Sequence, residues 1–359
     1  MLIISIFVAA LFALCRFVPA VNPYDESIFA LLGLATPILA LINAGFAIFW
    51  LISRKYYFIL IPLLAFVLSW RVYSVAYGGK INQVQDFNHD SNRFSVMSYN
   101  VRLLDLYNWS GKKETRTNIL SYIKQKNPTV LCLQEFYTGN DSIGINNIKA
   151  IQDSCDYAYF ADCNVNVNKR GKWGNIIFSH EPILSNINHD VDVIGNNMLQ
   201  ETTLKLHDDT ITLFNIHLKS NKFSKDETIL MNSGELPEFD DKVLHDSKSI
   251  YKKLTYSTIN RGLEADLVGN IIEQKRNPTV VCGDLNDMPS SYVYFKMRNN
   301  LSDAFLTKGF GLGATYLGNV PFLRIDYIFF SNQLQLRGFV QDDIRYSDHK
   351  PLLANFELL

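Results

Sequence analysis

The chain has 359 residues, with 34 Lys and Arg against 35 Asp and Glu, and 48% of its residues are hydrophobic. That length holds one large domain or two smaller ones. A formal net charge of −1 does not favour a chain-wide basic footprint for nucleic acid, and the five cysteines show no zinc-type spacing.

The first 80 residues differ from the rest. They carry Arg16, Arg54, Lys55, Arg71 and Lys80 against Asp25 and Glu26 only, which leaves 29 basic and 33 acidic residues, a net of −4, to the remainder. Ser27 to Ile52 is uncharged and exceeds the roughly 20 residues that a bilayer requires. Tyr56 to Trp70, extending past Arg71 to Tyr77, is a second spanning candidate. Leu2 to Val21 is a weaker third, interrupted by Arg16 and Pro19. A cleaved signal peptide prefers a basic start, and this chain has no charge before Arg16. Leu14 before Cys15 does not suit a lipid-anchoring cleavage site. Residues 1–79 therefore read as a membrane anchor of two or three transmembrane helices, 80–92 as a polar linker and 93–359 as a second domain. The turn Ser53-Arg54-Lys55 is basic, whereas Asn22 to Glu26 lacks Lys and Arg. The positive-inside rule puts Arg54 and Lys55 in the cytoplasm, and the chain after Tyr77 on the outer side.

Beyond the linker, strand and helix signals alternate. Phe94 to Asn100 alternates apolar and polar residues as a strand does. Thr115 to Lys126 has helical spacing through Ile119, Leu120 and Ile123, and Asn127-Pro128 stops it. Val130 to Leu133 is a short apolar run suited to a strand covered on both faces. The phrase Gln125 to Cys132 returns, with one insertion, as Gln274 to Cys282. Each copy closes a helix, enters an apolar strand and ends in acidic residues, which suggests two related halves facing one site. Between the copies, Asn175 to Ser179, Thr202 to Leu206 and Thr210 to Leu218 read as strands, so sheet packs on sheet with helices outside. Polar Asn221 to Ser257 reads as a long loop. Cys132 and Cys282 lie in strand runs and pack, and Cys155 and Cys163 are candidates for a bridge.

The candidate chemistry sits at the ends of these apolar runs. Glu135 follows a buried strand, where a carboxylate suits a hard metal ion. Asn100 ends its strand. Asn215, His217 and Lys219 share one strand face. Gly283 permits a tight path before Asp284 and Asn286, which project together if the strand persists. Asp326 lies within Ile325 to Phe329, and a carboxylate there needs a partner. The pair Asp348-His349 supplies one, because an Asp can fix an imidazole tautomer beside a metal-binding Asp.

In this order Ser98-Tyr99-Asn100, Leu133-Gln134-Glu135, Asn215-Ile216-His217, Gly283-Asp284-Leu285-Asn286, Arg324-Ile325-Asp326-Tyr327-Ile328 and Ser347-Asp348-His349 resemble the endonuclease/exonuclease/phosphatase superfamily, whose folds are similar to deoxyribonuclease I. The resemblance covers Phe94 to the C-terminus. It implies a four-layer α/β sandwich and a Mg²⁺- or Mn²⁺-dependent phosphoesterase. It implies Glu135 as the principal metal ligand, with Asn100 and Asp348 nearby. Asp284 would orient or deprotonate water, Asn286 would hold water and phosphate, and His349, steadied by Asp326, would bond the phosphoryl oxygen, as His217 would from the other side. Asn175 resembles a further position near the phosphate, while Arg261 reads as a solvated side chain. The expected partners are the lipid bilayer and a phosphate ester: nucleic acid, phospholipid headgroup or small molecule. A catalytically silent binding or scaffold protein on the same fold is the alternative. The expected location is a bacterial inner membrane, with the catalytic domain on its outer face.

Overall fold

The computed structural model describes residues 1–80, 92–139, 145–168, 170–191, 198–221, 241–318 and 322–359. Most of the expected linker, 81–91, lies outside them. The chain forms two compact units.

The first unit comprises Met1–Tyr77 with Ser220–Asp266 and Asp287–Met297. Its three N-terminal helices are α1 (Leu2–Leu14), prolonged by a 3-10 stretch to Ala20, α2 (Ile28–Ile52) and α3 (Leu60–Tyr73), which a 3-10 turn precedes. The segments Leu2–Ala20, Ile28–Ile52 and Tyr56–Tyr73 are each long and apolar enough to cross a membrane. The first, marked as the weakest in the sequence, is the most apolar, and Arg16 and Pro19 are confined to the 3-10 stretch at its end. Phe12, Cys15, Val18 and Ala65 pack inside the bundle, while Ile3, Leu41 and Val67 face outward. With apolar residues on both sides, specificity falls to polar contacts between helices: Ser69 Oγ donates to Phe12 O (2.5 Å), Asn43 Nδ2 to Val8 O (3.4 Å) and Trp50 Nε1 to Ser5 Oγ (3.1 Å).

The same unit contains most of a long helix, Asp241–Glu273, where the sequence suggested loop through Ser257. Its apolar positions are widely spaced, so the polar composition hid a helix. Arg261, expected to be solvated, is 2% exposed and ion-paired through Nε to Asp287 Oδ2 at 3.1 Å. Asn22, in the turn before α2, donates to Asp266 Oδ2 (2.6 Å) and Gly262 O (3.3 Å), and Ser290 Oγ donates to Gly33 O (2.8 Å). The turn before α2 and the helix itself are thus stitched to chain segments 240 or more residues away.

The second unit, Gly78–Lys219 with Leu267–Asn286 and Arg298–Leu359, is two packed mixed sheets flanked by helices, as the resemblance implies. Its strands in chain order are β1 (Gly78–Gly79), β2 (Arg93–Asn100), β3 (Val130–Gly139), β4 (Tyr159–Asn168), β5 (Gly171–Ser179), β6 (Ile183–Asp190), β7 (Met198–Leu206), β8 (Asp209–His217), β9 (Thr279–Asp284), β10 (Ser302–Asp303), β11 (Phe310–Gly311), β12 (Asp326–Phe330), β13 (Leu334–Gln341) and β14 (Leu352–Leu358). One sheet runs β13-β14-β2-β3-β5-β4, the other β10-β12-β9-β8-β7-β6. The predicted helix Thr115–Lys126 is present, ended by Asn127 in a left-handed conformation.

Strand alternation builds the layers. Phe94 and Val96 of β2 and Val130 and Cys132 of β3 point between the sheets, towards Leu213, Val280, Cys282 and Ile328. Met97, Tyr99, Leu131 and Leu133 point to the outer helical layer with Ile119 and Ile123. The repeated phrase lands at equivalent places. β2 pairs parallel with β3, and β8 parallel with β9, the two parallel pairs among strands otherwise antiparallel. Cys132 and Cys282, one from each copy, meet across the core, where burial pushes the Cys132 thiol up. All five cysteines are free, so Cys155 and Cys163 are not bridged.

Candidate active site

The C-terminal ends of the two parallel pairs deliver the site. Asn100 closes β2, His217 closes β8 and Asp284 closes β9, with His217 and Asp284 as register partners. Asp326 opens β12 opposite Asp284. Glu135 does not follow its strand as the sequence suggested. It sits within β3 at a bulge against β5, between Leu133 and Phe136, with φ of 48°. A bulge re-aims a side chain that strict alternation would direct elsewhere.

Gly283 has a comparable function. Its φ is 137°, and a Cβ there would fall 2.0 Å from Ile216 O. Only glycine allows β9 to approach β8 so closely while turning out Asp284. The strand ends there, so Asp284 and Asn286 do not project together along it. Asn286 is left-handed (φ 52°), gives its backbone N–H to Asp284 Oδ1 (2.8 Å), and donates through Nδ2 to Leu218 O (3.0 Å).

Asp284 is the hub. Its Oδ2 accepts from Asn100 Nδ2 at 3.1 Å and lies 3.7 Å from His349 Nε2 and 3.9 Å from His217 Nε2. Asn100 Nδ2 also reaches Glu135 Oε1 (3.3 Å), and His217 Nε2 lies 3.6 Å from that oxygen without a hydrogen-bond partner. His349 Nδ1 faces both oxygens of Asp326, at 2.9 and 3.1 Å, in a buried pair. Burial pushes the Asp284 carboxyl up to about 6, helped by the Asp326 charge and opposed by the two histidines. Burial works against the His349 imidazolium, but Asp326 and then Asp284 outweigh it, and its pKa rises to about 10. Asp348 is at the rim, ion-paired with Arg102 at 3.2 Å.

The structure therefore gathers Asn100, Glu135, His217, Asp284, Asp326 and His349 directly. Asp348 adjoins through its neighbour His349, and Asn286 through the Asp284 turn. Asn215 shares the β8 face of His217, as expected, but lies one step deeper than the site. It is buried between the sheets, accepting from Gln134 Nε2 (2.7 Å) and donating to Leu133 O (3.1 Å). Asn175 joins it by donating to Asn215 O (3.1 Å). Sequence reasoning missed Arg102 and Tyr316. Tyr316 bridges to His349 in β-fashion with its ring 5.4 Å from the imidazole. Arg102 lies two residues after Asn100, and that position was the available signal.

Comparison with known proteins places this arrangement. No curated protein sequence matches. The human nocturnin catalytic domain with bound sulfate is similar in fold, with TM-score 0.52 and 17% identity over 76% of this chain and 96% of that one. So are ANGEL2, a 2′,3′-cyclic phosphatase (0.50, 19%, 74% and 96%), and an endonuclease/exonuclease/phosphatase from Bacteroides vulgatus (0.50, 15%, 74% and 99%). A profile of a domain of unknown function matches residues 1–75. The profile described as the endonuclease/exonuclease/phosphatase family matches 97–349, a span that holds every site residue above, and the chain belongs to that family.

Proposed function

We propose that this protein is a membrane-anchored, divalent-metal-dependent phosphoesterase. The observation that carries the reading is the convergence on Asp284 of Asn100, His217 and His349, with Glu135 and Asp326 one contact further out.

The carboxylates fit a hard cation such as Mg²⁺ or Mn²⁺. Glu135 and Asp348 offer oxygens, and Glu135 keeps one of them clear of Asn100, whose Nδ2 faces Glu135 while its Oδ1 accepts the Arg102 backbone N–H. The cluster of Asp284, Asp326 and His349 also brings three ligand-type atoms together. However, both Asp326 oxygens face His349 Nδ1, so that group suits a hydrogen-bonded relay better than a metal cage. When bound, the ion would polarise the phosphoryl oxygens and ease formation of hydroxide.

The remaining roles belong to the chain. Asp284, held near pH 6 by burial, accepts a proton from attacking water. Asn286 fixes the Asp284 turn. Asp326 holds Nδ1 of His349, so that Nε2–H points at charge developing on the phosphoryl oxygen. His217, whose Nε2 is buried without a hydrogen-bond partner, donates from the opposite side.

For localisation, three helices are long and apolar enough to span; if all three cross, Met1 and the basic Arg54-Lys55 turn share one side of the bilayer and the chain after Tyr77 emerges on the other. By the positive-inside rule the catalytic domain faces outward from a bacterial inner membrane. The test is hydrolysis of bis-p-nitrophenyl phosphate by full-length protein in detergent with Mg²⁺, Mn²⁺ or EDTA. Glu135→Ala should weaken the metal requirement and turnover together, and Asp284→Ala should abolish turnover. Wild-type rates in both variants would sink the assignment.

A further inference from the structure

Beside the carboxylates lies a cavity of about 330 Å³ whose wall includes Arg102, Ser110, Tyr316, Arg345, Ser347 and Asp348. Two guanidinium groups line so small a space. Arg102 engages Asp348 Oδ2 through Nε, and its plane lies 5.0 Å from the Trp109 ring. Its two Nη groups have no hydrogen-bond partner among the described residues. Arg345 is exposed and makes no hydrogen bond or ion pair among them. Of the acids on the wall, Asp105 accepts the Ser110 backbone N–H at 3.1 Å and its hydroxyl. Asp348 accepts from Ser347 Oγ at 3.3 Å.

The backbone around Arg102 is strained. Arg102, Leu103, Leu104 and Asp105 are four successive left-handed residues, with φ between 45° and 57° and no glycine among them. Left-handed backbone is strained for residues with a Cβ, and such strain concentrates at functional sites. Here it bends the chain after Asn100 so that Arg102 faces the cavity. Tyr316 also lines the cavity, its ring 5.4 Å from the His349 imidazole and its phenol a hydrogen-bond donor. Gly318 lies against that ring, where a Cβ would be 2.2 Å from Tyr316 Cζ.

We propose that this cavity is a subsite for a second phosphate group carried by the substrate beside the scissile one, held by the forks of Arg102 and Arg345 with the Tyr316 hydroxyl as a further donor. This deepens the phosphoesterase reading and rests on it. The Nη groups of Arg102 and the fork of Arg345, with both wall carboxylates already hydrogen-bonded, suit the oxygens of a phosphate better than a neutral sugar or an acyl chain. A polynucleotide and a phosphorylated lipid headgroup share this chemistry.

The experiment uses full-length protein in detergent with Mg²⁺ and two p-nitrophenyl esters of thymidine 5′-phosphate, one bearing a 3′-phosphate. The 3′-phosphate should raise kcat/KM about tenfold, chiefly through KM, as one charge-assisted contact predicts. Arg345→Gln should collapse that ratio towards one, and Gly318→Ala, which displaces the Tyr316 ring, should lower it. Equal kcat/KM for both esters, or a ratio untouched by Arg345→Gln, overturns the subsite. If neither ester is cleaved, the phosphoesterase reading fails instead. Calorimetric titration with thymidine 3′,5′-bisphosphate against thymidine 5′-monophosphate then decides the subsite without turnover: equal affinity overturns it, and tighter bisphosphate binding lost in Arg345→Gln supports it. A parallel arm compares vesicles of phosphatidylinositol with and without a ring phosphate. Preference there assigns the second phosphate to lipid, and preference confined to the nucleoside pair assigns it to nucleic acid.

Discussion

Replacing Asp326 with Asn tests the relay at its most buried link. Asp326 and His349 are 3% and 5% exposed, and the carboxylate meets Nδ1 at 2.9 and 3.1 Å. Asn preserves shape but removes the charge that most favours the imidazolium. Breaking a buried pair of this kind costs about 3–5 kcal/mol, and the amide keeps one oxygen towards Nδ1, so the loss should sit near the lower figure. Turnover should fall further than stability implies, because Nε2–H loses both orientation and acidity. A drop of about 10²–10⁴ is expected for a lost acid–base contribution. The assay is kcat for bis-p-nitrophenyl phosphate with saturating Mg²⁺, beside thermal unfolding of the same preparation. His349→Ala and the double variant complete a cycle. If the two residues act as one unit, the double variant is no worse than the worse single one. Independent, multiplicative losses, or wild-type turnover in Asp326→Asn, would refute the relay.

Gly283→Ala should destabilise by several kcal/mol or disable the site, because its Cβ meets Ile216 O at 2.0 Å, a backbone atom that cannot yield cheaply; a fully folded, fully active alanine variant contradicts the close approach. In EDTA, stability should fall by about 2 kcal/mol between pH 7 and 9, since His349 is raised to about 10 and its contribution, complete below its ordinary value of 6.5, is lost as pH rises through the folded value. Urea unfolding at the two pH values reads this, and the slope should flatten in Asp326→Asn. Asn22→Ala should cost about 1–3 kcal/mol by leaving Asp266 Oδ2 and Gly262 O short of a donor, and a thermal midpoint unchanged in detergent would show that the stitch is dispensable.

Much of the site was legible because its residues end apolar runs, and apolar runs that end at one edge of a sheet converge there. The two copies of the Asn-Pro-Thr-Val phrase pointed to two related halves facing one site, and each copy leads into the second strand of a parallel pair. What stayed hidden depends on local backbone and on long-range partners. Nothing in Leu133-Gln134-Glu135 declares a bulge, and Glu135 was legible as a carboxylate but not as an interruption of β3. Arg261 looked solvated because its partner Asp287 is 26 residues away, and burial of an arginine is set by such a partner rather than by its own neighbours. The helix Asp241–Glu273 is polar enough to resemble a loop, since its apolar stripe is narrow. Tyr316 carries no motif, and only the Tyr316–His349 bridge reveals it.

Three departures from regular strand geometry account for the site: the bulge at Glu135, the positive φ of Gly283 and the left-handed Asn286. In unbroken strands Gln134 and Glu135 would alternate between core and surface, and Asp284 would continue into a ladder with its side chain fixed by pleat. Instead Gln134 stays in the core bonded to Asn215, while Glu135 turns out towards Asn100 and His217. The inter-sheet amides Gln134, Asn215 and Asn175 then act as a rigid floor. Each is buried and hydrogen-bonded across strands, so neither sheet can slip by one residue without leaving polar groups unpaired, at about 1–3 kcal/mol each. Register in both sheets is thereby tied to the position of the carboxylates. A family fold that hosts several phosphate-ester chemistries can vary its rim, where Arg102, Tyr316 and Arg345 lie, while this floor keeps Asp284 and His349 within reach of each other.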